Sequence, residues 1–68
     1  MSAIKGKVKR LVTEKGFGFL IDDDGKEYFF HNSEVGGKGF HALREGQAVK
    51  FEPLESPKGP RASEIIPQ

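Results

Sequence analysis

Lys15-Gly16-Phe17-Gly18-Phe19-Leu20, followed eight residues later by Tyr28-Phe29-Phe30-His31, is the stretch that decides the fold. Side chains at alternate positions of a strand project from one face of a sheet. Phe17 and Phe19 therefore share a face, and the second run can add rings beside them. A row of flat rings is a platform for unstacked bases. Glycine between the two phenylalanines removes bulk and lets backbone or ligand approach closely, while Lys15 supplies a cation for phosphate.

Outward from this stretch, regular punctuation by Gly, Pro and Asp with short apolar runs between predicts an all-β domain of five strands. The first runs from Ile4 to Thr13, the second from Phe17 to Asp22 and the third from Glu27 to His31, with Asp24-Gly25 as the hairpin turn between the last two. The fourth spans Gln47 to Leu54, Pro57-Lys58-Gly59-Pro60 makes a loop, and Arg61 to Ile66 is the fifth. His41-Ala42-Leu43-Arg44-Glu45 suits one 3₁₀ turn before Gly46. The link from Asn32 to Gly46 is long for so small a chain, and Gly36-Gly37-Lys38-Gly39 within it favours mobility. Five strands with their long link between the third and fourth suit a Greek-key OB-type antiparallel barrel, whose second and third strands commonly face oligonucleotides.

A chain of 68 residues holds one small domain with one core. Without cysteine, packing alone must stabilise it. No apolar run approaches the roughly 20 residues that span a bilayer, and Met1-Ser2-Ala3-Ile4-Lys5 has no signal-peptide core. A soluble cytoplasmic protein, without a membrane partner, is expected. The net charge is +1, but Lys5, Lys7, Lys9, Arg10 and Lys15 lead into the aromatic motif, whereas Asp22, Asp23, Asp24, Glu27 and Glu34 follow it. Such a basic stripe beside rings guides a phosphate backbone on a nearly neutral protein; its bland alternative is the solvated face of a first strand.

Large apolar side chains are preferentially buried, so the rings need not all be exposed. Alternation points either Phe17 and Phe19 or Gly18 and Leu20 inward, and on the third strand either Phe29 with His31 or Tyr28 with Phe30. In the first arrangement that leaves Phe17, Phe19, Phe29 and His31 outside, Leu20, Tyr28 and Phe30 join Val8, Val49, Phe51 and Ile65 as the core. Both arrangements expose aromatics, which gives that surface a use other than folding.

Lys15-Gly16-Phe17-Gly18-Phe19 resembles the RNP1 motif of the cold-shock domain family, with Tyr28 to His31 in the place of its RNP2 motif. The resemblance extends over nearly all of residues 1–68 through Gly6-Lys7-Val8-Lys9, Gly39-Phe40, Glu45-Gly46-Gln47-Ala48-Val49 and Lys58-Gly59-Pro60. It implies a five-stranded β-barrel that binds single-stranded RNA and DNA, often as an RNA chaperone. It also selects the face, because the family stacks bases on the two motif phenylalanines, the central phenylalanine of the second motif and its histidine. Where the family typically has Lys-Trp-Phe-Asn after the first-strand valine, this chain has Lys9-Arg10-Leu11-Val12, and Asn32 stands where phenylalanine commonly follows the histidine. A guanidinium stacks on bases and pairs with phosphate, so Arg10 partly replaces the missing ring. Exposing both Lys9 and Arg10 requires a bulge in the first strand.

Other constellations carry less. Gly16-Phe17-Gly18-Phe19-Leu20-Ile21 lacks the third glycine of a dinucleotide fingerprint, and Asp22-Asp23-Asp24-Gly25 lacks the ligand spacing of a calcium loop. His31 and His41 have no third ligand, and Ser33 beside His31 has no orienting acid, so neither a metal, a cofactor nor an enzyme is expected. The expected site comprises Lys7, Lys9, Arg10, Lys15, Phe17, Phe19, Phe29, His31, Lys58 and Arg61, with Phe40 in the glycine-rich loop either a core plug or, the favoured reading, a mobile extra ring that closes on it. The expected function is single-stranded nucleic-acid binding by a monomer acting as an ATP-independent RNA chaperone or expression regulator, without a small-molecule substrate. The alternative is a protein-interaction module that docks a partner on the exposed aromatic face or on a sheet edge.

Overall fold

In the computed structural model, which describes residues 3–36 and 39–68, five strands close a barrel. They are β1 (Ile4–Val12), β2 (Phe17–Asp22), β3 (Glu27–His31), β4 (Ala48–Ser56) and β5 (Gly59–Pro67), in the order β1-β2-β3-β5-β4. All pairings are antiparallel except β3 with β5, which meet in parallel at Phe29 and Arg61. This is the all-β OB-type barrel expected. Closure pairs the outer strands β1 and β4 with each other, and among the described residues every strand has a neighbour on both sides, though β3 and β5 meet at one residue pair. No helix among the described residues is long and apolar enough to cross a membrane.

Alternation sets the inside of the barrel. Gly18 pairs with Phe30 and Leu20 with Tyr28, and these positions face inward. The seven expected core residues, Val8, Leu20, Tyr28, Phe30, Val49, Phe51 and Ile65, are all buried, joined by Ala62, Leu43 and Phe40. Phe40 corrects the expectation of a mobile ring: it is 5% exposed and its ring centroid lies 6.0 Å from that of Phe30. Gly39, at φ 87°, turns the link inward just before the short 3₁₀ turn Phe40–Ala42. Burying a phenylalanine there stabilises the barrel by about 1.5 to 3 kcal/mol, more than an exposed loop position offers. Of Gly36-Gly37-Lys38-Gly39, on which the expected mobility rests, Gly37 and Lys38 lie outside the described residues, as does the side chain of His41.

Five strand ends and the 3₁₀ turn differ from expectation, the end of β1, the start of β4 and the end of β5 by a single residue each. β1 stops at Val12 because the Val12 carbonyl accepts from the N–H groups of Lys15 and Gly16 in a turn. The 3₁₀ turn comes at Phe40–Ala42 rather than at 41–45, where Gly46 instead donates to the Val8 carbonyl at 2.7 Å. β4 and β5 run on to Ser56 and start at Gly59, because Ser56 pairs with Gly59 and the hairpin needs only Pro57 and Lys58 to turn.

The bulge in β1 is present. Val8 pairs with Leu20 and Arg10 with Phe19, leaving Lys9 as the extra residue. Beyond it, the Leu11 N–H donates to Glu45 Oε2 at 3.1 Å.

At the β2–β3 hairpin, Asp22 Oδ1 accepts from the N–H groups of Asp24 and Lys26, at 2.9 and 3.0 Å, and Oδ2 accepts from the Tyr28 hydroxyl at 2.9 Å. The Lys26 N–H is the main contact holding the Asp22 carboxyl below the usual carboxylate range, against an opposing desolvation and with help from Tyr28 and Asp24. Burial, then the bond to Asp22, pushes the Tyr28 phenol up. A depressed carboxyl contributes stability that is present above its unfolded value and lost as pH falls through the folded one. A raised phenol contributes stability that is present below its unfolded value and lost as pH rises above about 10. Asp22→Asn keeps the two backbone acceptor contacts without the charge. Urea melts from neutral to acid pH are expected to show a smaller acid loss in this variant than in the parent; parallel curves would show that Asp22 carries none of the acid sensitivity.

Candidate nucleic-acid interface

The register of the barrel writes two rows on its outer face. Val12, Phe17 and His31 form one; Arg10, Phe19, Phe29, Arg61 and Leu54 form the other, crossing all five strands. The strand twist and the Lys9 bulge bring Arg10 onto this face, where strict alternation from Val8 would have turned it inward.

Phe17, Phe19 and Phe29 form a triangle, each ring partly exposed. Their centroids lie 6.0 Å apart for Phe17 and Phe19, 5.5 Å for Phe17 and Phe29, and 5.9 Å for Phe19 and Phe29. Such pairs are worth about 0.5 to 1.5 kcal/mol each beyond burial, so the rings hold one another in place while their outer faces stay open. His31 is exposed at the end of the first row. Its Nδ1 accepts from the Ser33 N–H at 3.2 Å and lies 3.1 Å from Ser33 Oγ. With Nδ1 accepting, the neutral ring carries its proton on Nε2, and the imidazole is fixed as the cap of the 3₁₀ turn Asn32–Glu34.

Cations surround the triangle unequally. Lys15 is exposed in the turn that leads into Phe17, and Arg10 is exposed beside Phe19. Lys7 is exposed opposite Ile21, farther along β1. Lys9 is engaged by an ion pair with Glu27. The Arg61 guanidinium carbon lies 5.5 Å from the Phe29 ring centroid, a cation–π contact. Between these two residues and the β4–β5 turn opens a groove of about 420 Å³ lined by Phe19, Phe29, Ser56, Lys58, Pro60 and Arg61.

Ten of the expected site residues thus lie on the outer surface around the platform, and Phe40 lies in the core. Val12, Ser56, Pro60 and Leu54 were not expected there. Counting alternation onward from an outward Arg10 would have found Val12; the other three depend on how β4 and β5 pair. The positions that depart from the family pattern also separate. Arg10 stands on the platform, whereas Leu11 pairs with Gly18 on the inner side and packs against the core. The Asn32 side chain lies over Gly16, whose carbonyl accepts from the Asn32 N–H at 2.9 Å.

Comparison with known proteins agrees with this geometry. The family model described as "'Cold-shock' DNA-binding domain" matches residues 4–68. Cold shock-like protein CspE of Buchnera aphidicola from Acyrthosiphon pisum is 49% identical over 67 residues, 97% of this chain and 97% of that protein. CspE of Escherichia coli K12 is 48% identical over the same length and shares, and cold shock protein CspD of Bacillus subtilis is 44% identical over 61 residues, 90% of this chain and 92% of that protein. The solved structure of drosophila Unr CSD456 superposes with a TM-score of 0.76 at 22% identity, covering 98% of this chain and 27% of that one, a likeness of fold.

Proposed function

Since the chain belongs to the cold-shock domain family of nucleic-acid-binding proteins, we propose that it binds single-stranded RNA or DNA by stacking unpaired bases on Phe17, Phe19, Phe29 and His31. The observation that carries this reading is the open triangle of rings on the outer face of β2 and β3. Each stacked base contributes about 1 to 3 kcal/mol. Arg10, Lys15, Lys7 and Lys58 contact phosphate, and Lys9 joins them when it leaves Glu27. Arg10 also offers its guanidinium plane to a base, in the place of the family's usual ring.

The action is ATP-free. A protein that holds unpaired segments and not duplex shifts RNA folding by its differential affinity alone, which is the work of an RNA chaperone.

An NMR titration with a short oligopyrimidine tests the reading. The largest shifts are expected in Lys15 to Phe19, in Phe29 to His31 and at Arg61. Repeated over a range of salt, the affinity is expected to follow a log-log slope of about −2 to −3.5, from roughly three to five phosphate contacts at about −0.7 each. An unchanged spectrum would overturn nucleic-acid binding. A much steeper slope would show that charge rather than stacking holds the strand.

A further inference from the structure

The groove between the ring triangle and the β4–β5 turn has two charged side chains in its wall, and both are donors only. Arg61 brings five N–H donors and Lys58 three, with no acceptor on either side chain. The Ser56 hydroxyl donates to the Gly59 carbonyl at 2.6 Å, which leaves its own oxygen as the one side-chain acceptor in the groove wall. No carboxylate or carboxamide side chain lines the groove.

Arg61 is also held in position. It pairs with Phe29 on one side and with Leu54 on the other, within β5 rather than in a loop. Its guanidinium lies against the Phe29 ring, and among the described residues it takes part in no ion pair. A fork of donors set against an aromatic surface, with its charge not neutralised, can read the edge of a base that the neighbouring rings hold by its face.

We propose that this groove is a base-selective slot for a keto base, guanine above all, within an otherwise sequence-tolerant platform. The inference rests on the stacking reading and adds a ligand class to it. Guanine presents O6 and N7, two acceptors side by side, which a guanidinium takes bidentately. On the same edge uracil or thymine offers one acceptor, O4. Adenine and cytosine turn an exocyclic amino group of that edge, a donor, toward donors, and the bidentate contact is lost. The expected order is guanine, then uracil or thymine, then adenine and cytosine.

The test uses fluorescently labelled RNA hexamers: all adenine, and the same strand with a single central guanine, inosine or 7-deazaguanine. The guanine hexamer is expected to bind about tenfold more tightly than the all-adenine one, toward the lower end of what a bidentate arginine–guanine contact discriminates. Inosine, which keeps O6 and N7, should match guanine, and 7-deazaguanine, which lacks N7, should lose most of the gain. Arg61→Gln places an amide that pairs with adenine N6 and N7, so it should abolish or invert the preference. Lys58→Gln should weaken both hexamers alike. Equal binding of the guanine and all-adenine hexamers by the parent, or a preference that survives Arg61→Gln, overturns the slot and leaves stacking intact. Failure to bind any hexamer overturns both readings.

Discussion

Phe30→Ala is expected to unfold most of the protein, while Phe29→Ala, one residue earlier, leaves it folded and weakens its grip on single strands. The neighbours face opposite sides of β3. Phe30 is fully buried, between Gly18 on the adjoining strand and the Phe40 ring. Truncating such a ring costs about 3 to 5 kcal/mol. A 68-residue chain has only about 3 to 10 kcal/mol of net stability, so much or all of it goes. Phe29 is partly exposed and touches Phe17, Phe19 and Arg61 on the outer face. Its loss removes one stacking position, about 1 to 3 kcal/mol of affinity, with a smaller effect on folding. Urea melts paired with binding isotherms for both variants decide the matter. If Phe29→Ala unfolds as readily as Phe30→Ala, or binds like the parent, the outer rings are packing rather than platform.

Gly18→Ala comes second in expected effect, out of proportion to the single methyl group it adds. A Cβ at this position would lie 2.6 Å from the Arg10 carbonyl oxygen and 2.8 Å from two carbons of the Phe30 ring. Neither neighbour yields cheaply. The first is strand backbone at the far side of the bulge, and the second is locked in the core. Overpacking of this kind costs about 1 to 3 kcal/mol, at times more, and here its relief also displaces Arg10 from the row it shares with Phe19. Loss of stability by at least about 1 kcal/mol with a parallel loss of affinity is the expected outcome, read by thermal melts and titration of the folded fraction. A variant as stable as the parent would mean that the strand moves freely at this point. The glycine between the two phenylalanines therefore makes room for a ring from inside the barrel, one of the two roles its place in the sequence allows.

β2 and β3 were legible in the sequence to the residue, because alternation and the Asp24-Gly25 turn are local signals. The inward set that includes Leu20, Tyr28 and Phe30 followed from the same alternation once the outer face was chosen, and the bulge followed from the need to expose two consecutive cations. What escaped was non-local. The burial of Phe40 depends on Phe30, ten positions earlier and across the barrel. The Arg61 guanidinium meets Phe29 only because β3 and β5 lie side by side, a parallel pairing that no run of residues announces. Pro57-Lys58-Gly59-Pro60 reads as a four-residue loop, yet its glycine and second proline belong to β5, and that pairing creates the groove wall.

The extra residue in β1 behaves as a frameshift in a message with a two-letter period. Before Lys9, even positions such as Gly6 and Val8 face inward; after it, the odd Leu11 faces inward, and Arg10 and Val12 face out. The two halves of one strand can thus be edited independently, the first answering to the barrel and the second to whatever lies on its surface. Deleting Lys9 alone would remove the bulge and leave strict alternation, with Val8 inward, Arg10 outward and Leu11 inward, so both faces survive the loss of that letter and only its cation goes.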